Sequence, residues 1–312
     1  MCFNRGKALS IHKQNKPYTE RDMKKLFRLT LVALAALLLG ACSGNEEDKR
    51  PTEPMTLSFT LSETPFDALP EAEEPVRVTL WLVSTDDIRE VKYHYSTVVS
   101  LREIAALTLP TDVPEGNYNL YAWIDGFGVE EGERYYFNVE NYRNIALDVN
   151  RYSELDIVER NAFYATKSDV ALSAGCNVAL EALSPYGGYT LTMKHPAQLL
   201  GVTGSGLKLR LKSWSPVAAA YDLIFAKPSN SVSSLSLPER ELEEITDPTE
   251  EIFIAQDILL GTAGETTSAR LIVEILDTAG EIIFSQSATI EIDCGTVKDV
   301  VMWPAPAARN HQ

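Results

Sequence analysis

Hydrophobic and polar residues alternate in short runs along most of the chain after Met55. Residues 57–61 and 76–83 alternate strictly, and this period of two predicts strands with one buried and one solvated face. Further strand candidates, rich in β-branched and aromatic residues, are 90–95, 106–109, 117–125, 167–172, 177–183, 189–194, 207–211, 221–226, 252–260, 269–276, 281–284 and 288–294. No long helical period appears. The pattern predicts an all-β protein of two β-sandwiches in series.

Proline and glycine clusters separate these runs and suggest where the chain divides. The sequence VPEG at 113–116 predicts a turn, and DTAG at 277–280 predicts the clearest hairpin. The cluster SPYGG at 184–188 is the expected domain boundary. We therefore predict an N-terminal sandwich at 55–185, a C-terminal sandwich at 186–304 and a tail at 305–312.

Three stretches lack the strand pattern. Residues 134–165 are polar and aromatic without clean alternation, and we expect a long excursion between strands there. Residues 229–236 are rich in serine and predict a loop. Residues 238–251 are acidic, and a turn of helix is expected at 239–244.

A basic stretch followed by an apolar segment begins at Met23. Residues 23–28 (MKKLFR) precede an uncharged, aliphatic run at 29–39, which is shorter than the ~20 residues that span a bilayer. This order is typical of a signal peptide. Gly40 and Ala41 then precede Cys42, which predicts a lipobox: a diacylglyceryl group joins the Cys42 thiol, and cleavage makes Cys42 the first residue. An ordinary secretory signal with an incidental cysteine is the alternative.

The segments on either side of this signal complete the N-terminal picture. Residues 1–22 contain nothing that would help export, so Met23 is the expected true start and 1–41 the removed segment. Residues 42–54 predict a short acidic tether, although any solvated linker would have a similar composition. The run SGNEEDK at 43–49 also resembles the acidic tag that carries Bacteroidetes lipoproteins to the outer face of the outer membrane. We expect a lipid-anchored protein of the outer membrane, exposed at the cell surface.

Charge excludes one class of partner. Removing residues 1–41 leaves 20 basic and 42 acidic residues in 271, a formal charge near −22. Nucleic acid is therefore not an expected partner. The acidic surface is most simply a solvating coat.

Two cysteines remain after Cys42. Cys176 and Cys294 have neither metal-ligand spacing nor a nearby histidine pair, which argues against a zinc site. An exported protein can form a disulfide between them. Two buried free thiols are the preferred expectation, because both cysteines lie in strand-like segments far apart in the sequence.

The sequence contains no catalytic constellation that we recognise. His94 and His195 lack a partner at informative spacing, and no phosphate loop or nucleophile elbow is present. The pair Asp86-Asp87 fits an acidic turn between strands as well as a calcium or glycosidase site. We expect neither an enzyme nor a cofactor.

Aromatic residues fall into two groups. Trp81 and Trp123 lie within predicted strands and are expected in the core. Sugar-binding sandwiches expose aromatic rings as stacking platforms. The candidates for an exposed face are Trp214, Tyr135, Tyr136, Tyr142 and Tyr152, and we assign a ligand-stacking role to Trp214, Tyr135 and Tyr136.

Several motifs together resemble the fimbrillin-like lipoproteins of Bacteroidales. These are VPEGNY at 113–118 leading into YAWID at 121–125, then YY at 135–136, RNAFY at 160–164, AQDILL at 255–260 and the closing segments 271–277, Gly280 and 290–296. The chain departs from the family pattern at Asn161, where aspartate is usual, and at Ile258, where tyrosine is usual.

This resemblance implies two tandem transthyretin-like sandwich domains and a fimbrial anchor, accessory or adhesin-like subunit. Pilin subunits of this kind are trimmed after an arginine, and a donated strand then completes the sheet of the next subunit. Arg50 precedes a proline, which trypsin-like proteases cut poorly, and Arg77 lies inside a predicted strand. The alternation alone makes Arg77 a solvent-facing strand residue. A subunit that keeps its lipid needs no trimming.

Two functions of different classes follow as hypotheses. The first is a surface subunit that contacts fimbrial partners through its sheet edges and the segment after Val297. The second is a surface lipoprotein that binds a glycan or a host surface through exposed aromatic rings.

Overall fold

The chain folds almost entirely into β-strands, which confirms the predicted class. The structure, a computed structural model, describes residues 53–127, 129, 134–194, 206–213, 215–232, 235–237, 239–242 and 251–302. The described strands are β1 (Thr56–Leu61), β2 (Pro75–Ser84), β3 (Val91–Ser100), β4 (Leu107–Thr108), β5 (Gly116–Asp125), β6 (Phe137–Asn138), β7 (Ile145–Leu147), β8 (Phe163–Leu172), β9 (Asn177–Ala182), β10 (Tyr186–Lys194), β11 (Lys208–Ser213), β12 (Val217–Asp222), β13 (Lys227–Val232), β14 (Arg240–Glu241), β15 (Glu251–Leu260), β16 (Thr266–Leu276), β17 (Ile282–Asp293) and β18 (Val297–Met302). Two 3₁₀ segments lie at Pro65–Asp67 and Leu101–Ala106.

Sheets A and B form the first sandwich. Sheet A has the order β4-β1-β9, and sheet B has the order β3-β2-β5-β8. β1 runs parallel to β9, with Thr56 opposite Asn177 and Leu61 opposite Ala182. The inward residues of the two sheets make one hydrophobic cluster, drawn from residues 55–182. The predicted alternation of 57–61 is confirmed, because Leu57 and Phe59 are buried and Thr60 is exposed.

β2 is buried on both faces, not on one. Val78 and Leu80 face sheet A, whereas Trp81 and Val83 join a second hydrophobic cluster on the opposite face of sheet B. The expectation of a half-buried strand at 76–83 is therefore wrong. The positions of β2 that the alternation places on the solvated face instead point toward a further layer, sheet C, formed by β6, β7, β12 and β13.

Sheet C combines strands from distant parts of the sequence, in the order β13-β12-β7-β6. Ile145 of β7 lies opposite Tyr221 of β12, across a sequence gap that includes four whole strands. The expected excursion at 134–165 thus contributes two strands and the start of β8. The loop expected at 229–236 is wrong for its first part, which forms β13 with a positive φ of 51° at Asn230.

Sheets D and E form a second sandwich. Sheet D has the order β15-β10-β18, and sheet E has the order β14-β11-β16-β17. Their facing residues make a third hydrophobic cluster, drawn from residues 189–302. The hairpin between β16 and β17 is confirmed, with Gly280 N–H donating to Asp277 O at 3.0 Å and a φ of 84° at Gly280. The helical turn expected at 239–244 is wrong over Arg240–Glu241, which pairs with β11.

The second cluster spans both predicted domains, because Trp81, Tyr136 and Tyr221 pack in it together with Ile258 and Leu260. The boundary between residues 185 and 186 stays a prediction.

Candidate functional site

The aromatic residues assigned to ligand stacking do not share an exposed face. Tyr136 is 2% exposed, and burial raises the pKa of its hydroxyl well above the ordinary value. Tyr135 is half-buried, with the guanidinium carbon of Arg77 3.8 Å from its ring centre. Trp214 lies outside the described residues, so its stacking role stays a prediction. The exposure expected of Tyr142 and Tyr152 is wrong, because both pack in the second cluster.

Arg77 makes a buried ion pair. Its Nε donates to Asp125 Oδ1 at 2.8 Å, and its Nη2 donates to Asp125 Oδ2 at 2.5 Å and to Phe137 O at 2.9 Å. The Arg77 side chain is only 11% exposed and that of Asp125 is fully buried. The solvent-facing position expected of Arg77 is therefore wrong. Burial raises the pKa of Asp125, against the lowering effect of Arg77.

This placement bears on proteolytic trimming. Arg77 lies in β2, between β3 and β5 in the interior of sheet B, where a protease reaches the backbone only after the sheet opens. Arg50 and Cys42 lie outside the described residues.

A second buried ion pair joins the segment before β8 to the interior of β15. Arg160 Nη2 donates to Asp257 Oδ1 at 2.6 Å, and the hydroxyl of Tyr152 donates to Asp257 Oδ2. The guanidinium carbon of Arg160 lies 4.4 Å from the ring centre of Tyr152. Asp257 also accepts from the Ile258 N–H at 2.9 Å. Three donors therefore stabilise the buried carboxylate, which is the condition under which a buried charge is tolerated. No local sequence pattern indicates this pairing, although both residues lie in motif segments.

The second sandwich has open edges among the described residues, and β17 and β18 are two of these edge strands. β17 pairs only with β16, and β18 pairs only with β10, to which it runs parallel. Ile282 and Ile283 at the start of β17 are 50% and 37% exposed. Val297 and Val301 of β18 are 43% and 39% exposed, whereas Met302 is buried. These two edges are among the described surfaces on which a neighbouring strand can form backbone hydrogen bonds.

The other predicted residues have structural positions. Trp81 and Trp123 are buried, as expected. His94 stacks on Trp81 with ring centres 5.4 Å apart, and partial burial lowers the pKa of His94. Asp87 lies in a turn and pairs with Arg89, which supports the acidic-turn interpretation. In the part of the chain that the structure describes, no three His, Cys, Asp or Glu side chains converge as a metal site.

Cys176 and Cys294 are free thiols, as expected. The expected burial is confirmed for Cys294, whereas Cys176 is only half-buried. Burial raises the pKa of the Cys294 thiol to about 11. Within the described residues, no helix is long and apolar enough to cross a membrane.

Solved structures with a similar chain path include proteins from Bacteroides and Porphyromonas. A protein of Bacteroides ovatus proposed to be an adhesin is 12% identical, with a TM-score of 0.47 over 80% of this chain and 86% of that one. The fimbrial anchor protein Mfa2 from Porphyromonas gingivalis is 14% identical, with a TM-score of 0.41 over 75% of this chain and 82% of that one. No curated protein matches the sequence.

A family model matches residues 52–297, which includes every strand of the first sandwich and nearly all of the second. The chain therefore belongs to the family of unknown function DUF6562.

Proposed function

We propose that this protein is a structural subunit of the bacterial surface, a fimbrial anchor, accessory or adhesin-like lipoprotein that joins its neighbours by pairing strands across sheet edges. Cys42 carries the lipid, and residues 42–54 form the tether that holds the body at the outer membrane. The observation that carries the proposal is the uncharged open edge of β17.

Edge strands expose a row of unpaired backbone N–H and C=O groups, and soluble proteins usually protect them with charged side chains, proline or bulges. Residues 282–290 of β17 contain no charged residue and no proline, although 23% of the chain is charged and its net charge is −16. A bulge near Leu276 lies only at the beginning of the strand. An edge of this kind favours addition of a strand from another subunit.

The position of β1 supports a subunit at the membrane end of an assembly. Met55, Leu57 and Phe59 are 1%, 0% and 5% exposed, so the first strand after the tether fills the groove of sheet A with its own side chains. A subunit that keeps this strand cannot accept a donated strand in the same groove. Pairing is then left to open sheet edges, of which β17 is the proposed one.

Photo-crosslinking on living cells tests the proposal. A benzophenone amino acid at Ile283 of β17 is expected to link the protein to another surface subunit. The same probe at Ile88, 44% exposed in the turn between β2 and β3, is the matched control and is expected to give no such adduct. Adducts of equal yield from both positions, or none at Ile283 on demonstrably piliated cells, would contradict the proposal.

A lysine placed on the edge strand β17 distinguishes strand pairing from nonspecific association. Ser287→Lys puts a charge at an exposed position of β17 and is expected to remove the Ile283 adduct. Val98→Lys puts the same charge on β3, where Val98 is 52% exposed, and is expected to leave the adduct unchanged. Both variants are expected to fold, because surface substitutions typically change stability by less than about 0.5 kcal/mol.

A further inference from the structure

A cavity of about 140 Å³ lies where sheet C meets the beginnings of β10 and β16 and the end of β15. Apolar side chains form much of its wall, among them Leu147, Val217, Ala218, Leu235 and Ile258. Arg160, Tyr136 and Tyr186 also line it. The wall is therefore largely apolar, with polar atoms contributed by Arg160, Tyr136 and Tyr186 and also by Tyr152, Thr267 and Ser268.

Arg160, Tyr136 and Tyr186 each have a polar atom without a partner. Arg160 Nη1, Tyr136 Oη and Tyr186 Oη are buried and make no hydrogen bond to the described residues. The residues themselves are 4%, 2% and 3% exposed. A buried polar group without a hydrogen bond is costly, so native proteins pair nearly all of them. Three residues that carry such atoms line one cavity, which indicates a site for a molecule that accepts hydrogen bonds.

The protonation states of these side chains determine whether they can donate hydrogen bonds. Burial raises the pKa of Tyr136 and of Tyr186, so both hydroxyls keep their protons at physiological pH and can donate. Arg160 Nη2 already donates to Asp257, and Arg160 Nε donates to Asp156 O at 3.2 Å. Nη1 is left as a third donor on a residue that lines the same cavity.

Charge balance decides between an anionic and a neutral ligand. The positive charge of Arg160 is already compensated by Asp257 at 2.6 Å. A further buried anion would have no counter-charge, and removing it from water would cost several kcal/mol. A neutral oxygen acceptor satisfies the same donors without that cost.

The volume limits the size of the ligand. An engineered apolar cavity of ~150 Å³ accommodates benzene, which has six non-hydrogen atoms. We propose that this cavity binds a small uncharged molecule of about six non-hydrogen atoms, with one or two acceptor oxygens on an apolar body. This site is independent of the sheet edges at which the proposed assembly takes place.

Two probes of equal size and shape test the proposal. Isobutyramide and isobutyrate each have six non-hydrogen atoms and differ in charge. Titration of the purified chain, followed by the methyl NMR signals of Val217, Ala218 and Leu235, is expected to give a Kd near ~1 mM for isobutyramide. Isobutyrate is expected to bind at least about tenfold more weakly, because it adds an uncompensated buried charge.

Variants connect binding to the hydroxyl donors. Tyr136→Phe combined with Tyr186→Phe is expected to weaken isobutyramide at least about tenfold, and Tyr186→Phe alone serves if the pair does not fold. Tyr221→Phe removes the hydroxyl of a tyrosine that is equally buried but does not line the cavity, and is expected to leave binding unchanged. Equal affinity for the two probes, or unchanged binding in Tyr186→Phe, would overturn the proposal. So would water-to-tyrosine NOE signals that isobutyramide does not displace, since these would show a cavity that holds ordered water only.

Discussion

Arg160 and Asp257 stand 97 positions apart in the sequence and meet in an ion pair from which solvent is nearly excluded, with side chains 5% and 2% exposed. Arg160 belongs to the segment that leads into β8, and Asp257 lies opposite Tyr189 within sheet D. The pair therefore ties the first half of the chain to the second. Its strength depends on both partners, because a buried charge without its partner is unstable.

Arg160→Met is expected to lower the free energy of unfolding by ~3–5 kcal/mol, because it leaves the Asp257 carboxylate buried without a counter-charge. Urea unfolding measures the change. Arg102→Met is the matched control: Arg102 lies 2.7 Å from Glu73, but the two side chains are 70% and 66% exposed. That variant is expected to change stability by less than ~1 kcal/mol. A smaller loss for Arg160→Met than for Arg102→Met would show that the buried pair is not needed for stability.

Replacing both partners tests whether the loss of stability in Arg160→Met comes from the unpaired charge of Asp257 or from the missing Arg160 side chain. Arg160→Met combined with Asp257→Leu removes the unpaired carboxylate and is expected to recover a large part of the stability lost in Arg160→Met. Simple addition of the two single losses would contradict this interpretation.

Glu274 is expected to make stability depend on acidity. Lys212 Nζ donates to Glu274 Oε1 at 2.7 Å, and this bond, with a weaker one from Arg210, lowers the pKa of Glu274 below its ordinary value of 4.5. A lowered folded-state pKa means that the unfolded chain binds the proton more readily. The stabilisation is therefore present above pH 4.5 and is lost as the pH falls through the lowered value.

The test compares thermal unfolding midpoints across the acidic range. Glu274→Gln is expected to flatten the decline of Tm below pH 4.5 relative to the unchanged protein. Glu291→Gln, on the exposed side of β17, is the control and is expected to keep the original slope. Parallel slopes for Glu274→Gln and the unchanged protein would exclude this carboxylate as the source.

Gly261 lies where a methyl group does not fit. A Cβ there would overlap Cys294 Sγ and would lie 2.9 Å from Thr267 Cβ, while the Gly261 N–H is held by Pro185 O at 2.7 Å. Gly261→Ala is expected to destabilise the protein by ~1–3 kcal/mol through overpacking. Adding Cys294→Ala removes the sulfur and is expected to restore part of this loss in a double-mutant cycle of urea unfolding energies. Additive losses would show that the sulfur is not the obstacle.

Cys42→Ala is expected to abolish lipid labelling and to leave the uncleaved precursor in the cell, because the thiol is the predicted point of attachment. Metabolic labelling with a radioactive fatty acid measures it, and Cys176→Ala is the control that is expected to keep the label. Persistent labelling of Cys42→Ala would contradict the lipobox.

Strand positions could be predicted from the sequence because period-two alternation is local. The hairpin at Asp277 also followed from local turn chemistry. The two-sided burial of β2 could not be predicted, because no local pattern specifies which distant segment covers a face. Tyr142 packs on Trp81, and Tyr221 of β12 packs on Trp123 of the neighbouring strand. The strand β13 was also not predictable from its serine-rich sequence, which is typical of a loop. Its residues are polar because β13 lies at the edge of sheet C.

The candidate site was less predictable than the fold. Tyr136 looked exposed because it lies in a polar stretch, yet sheet C and the start of β10 bury it. The pairing of Arg160 with Asp257 depends on how the two halves meet, which requires three-dimensional information. The edge of β17 could be read from its uncharged sequence only once the structure placed that strand at the end of a sheet.

The parallel pairing of β1 with β9 has a mechanical consequence. The chain enters β1 at Thr56 from the predicted tether and leaves β9 at Ala182 toward the second half. The start of β1 and the end of β9 therefore lie at opposite ends of the same pair of strands. Tension between the tether and the second half pulls the two strands in opposite directions along their length. All the hydrogen bonds from Thr56 to Leu61 then share the load in shear, and rupture requires them to fail together. The pairing of β1 with β9 therefore resists tension applied between the start of β1 and the second half of the chain.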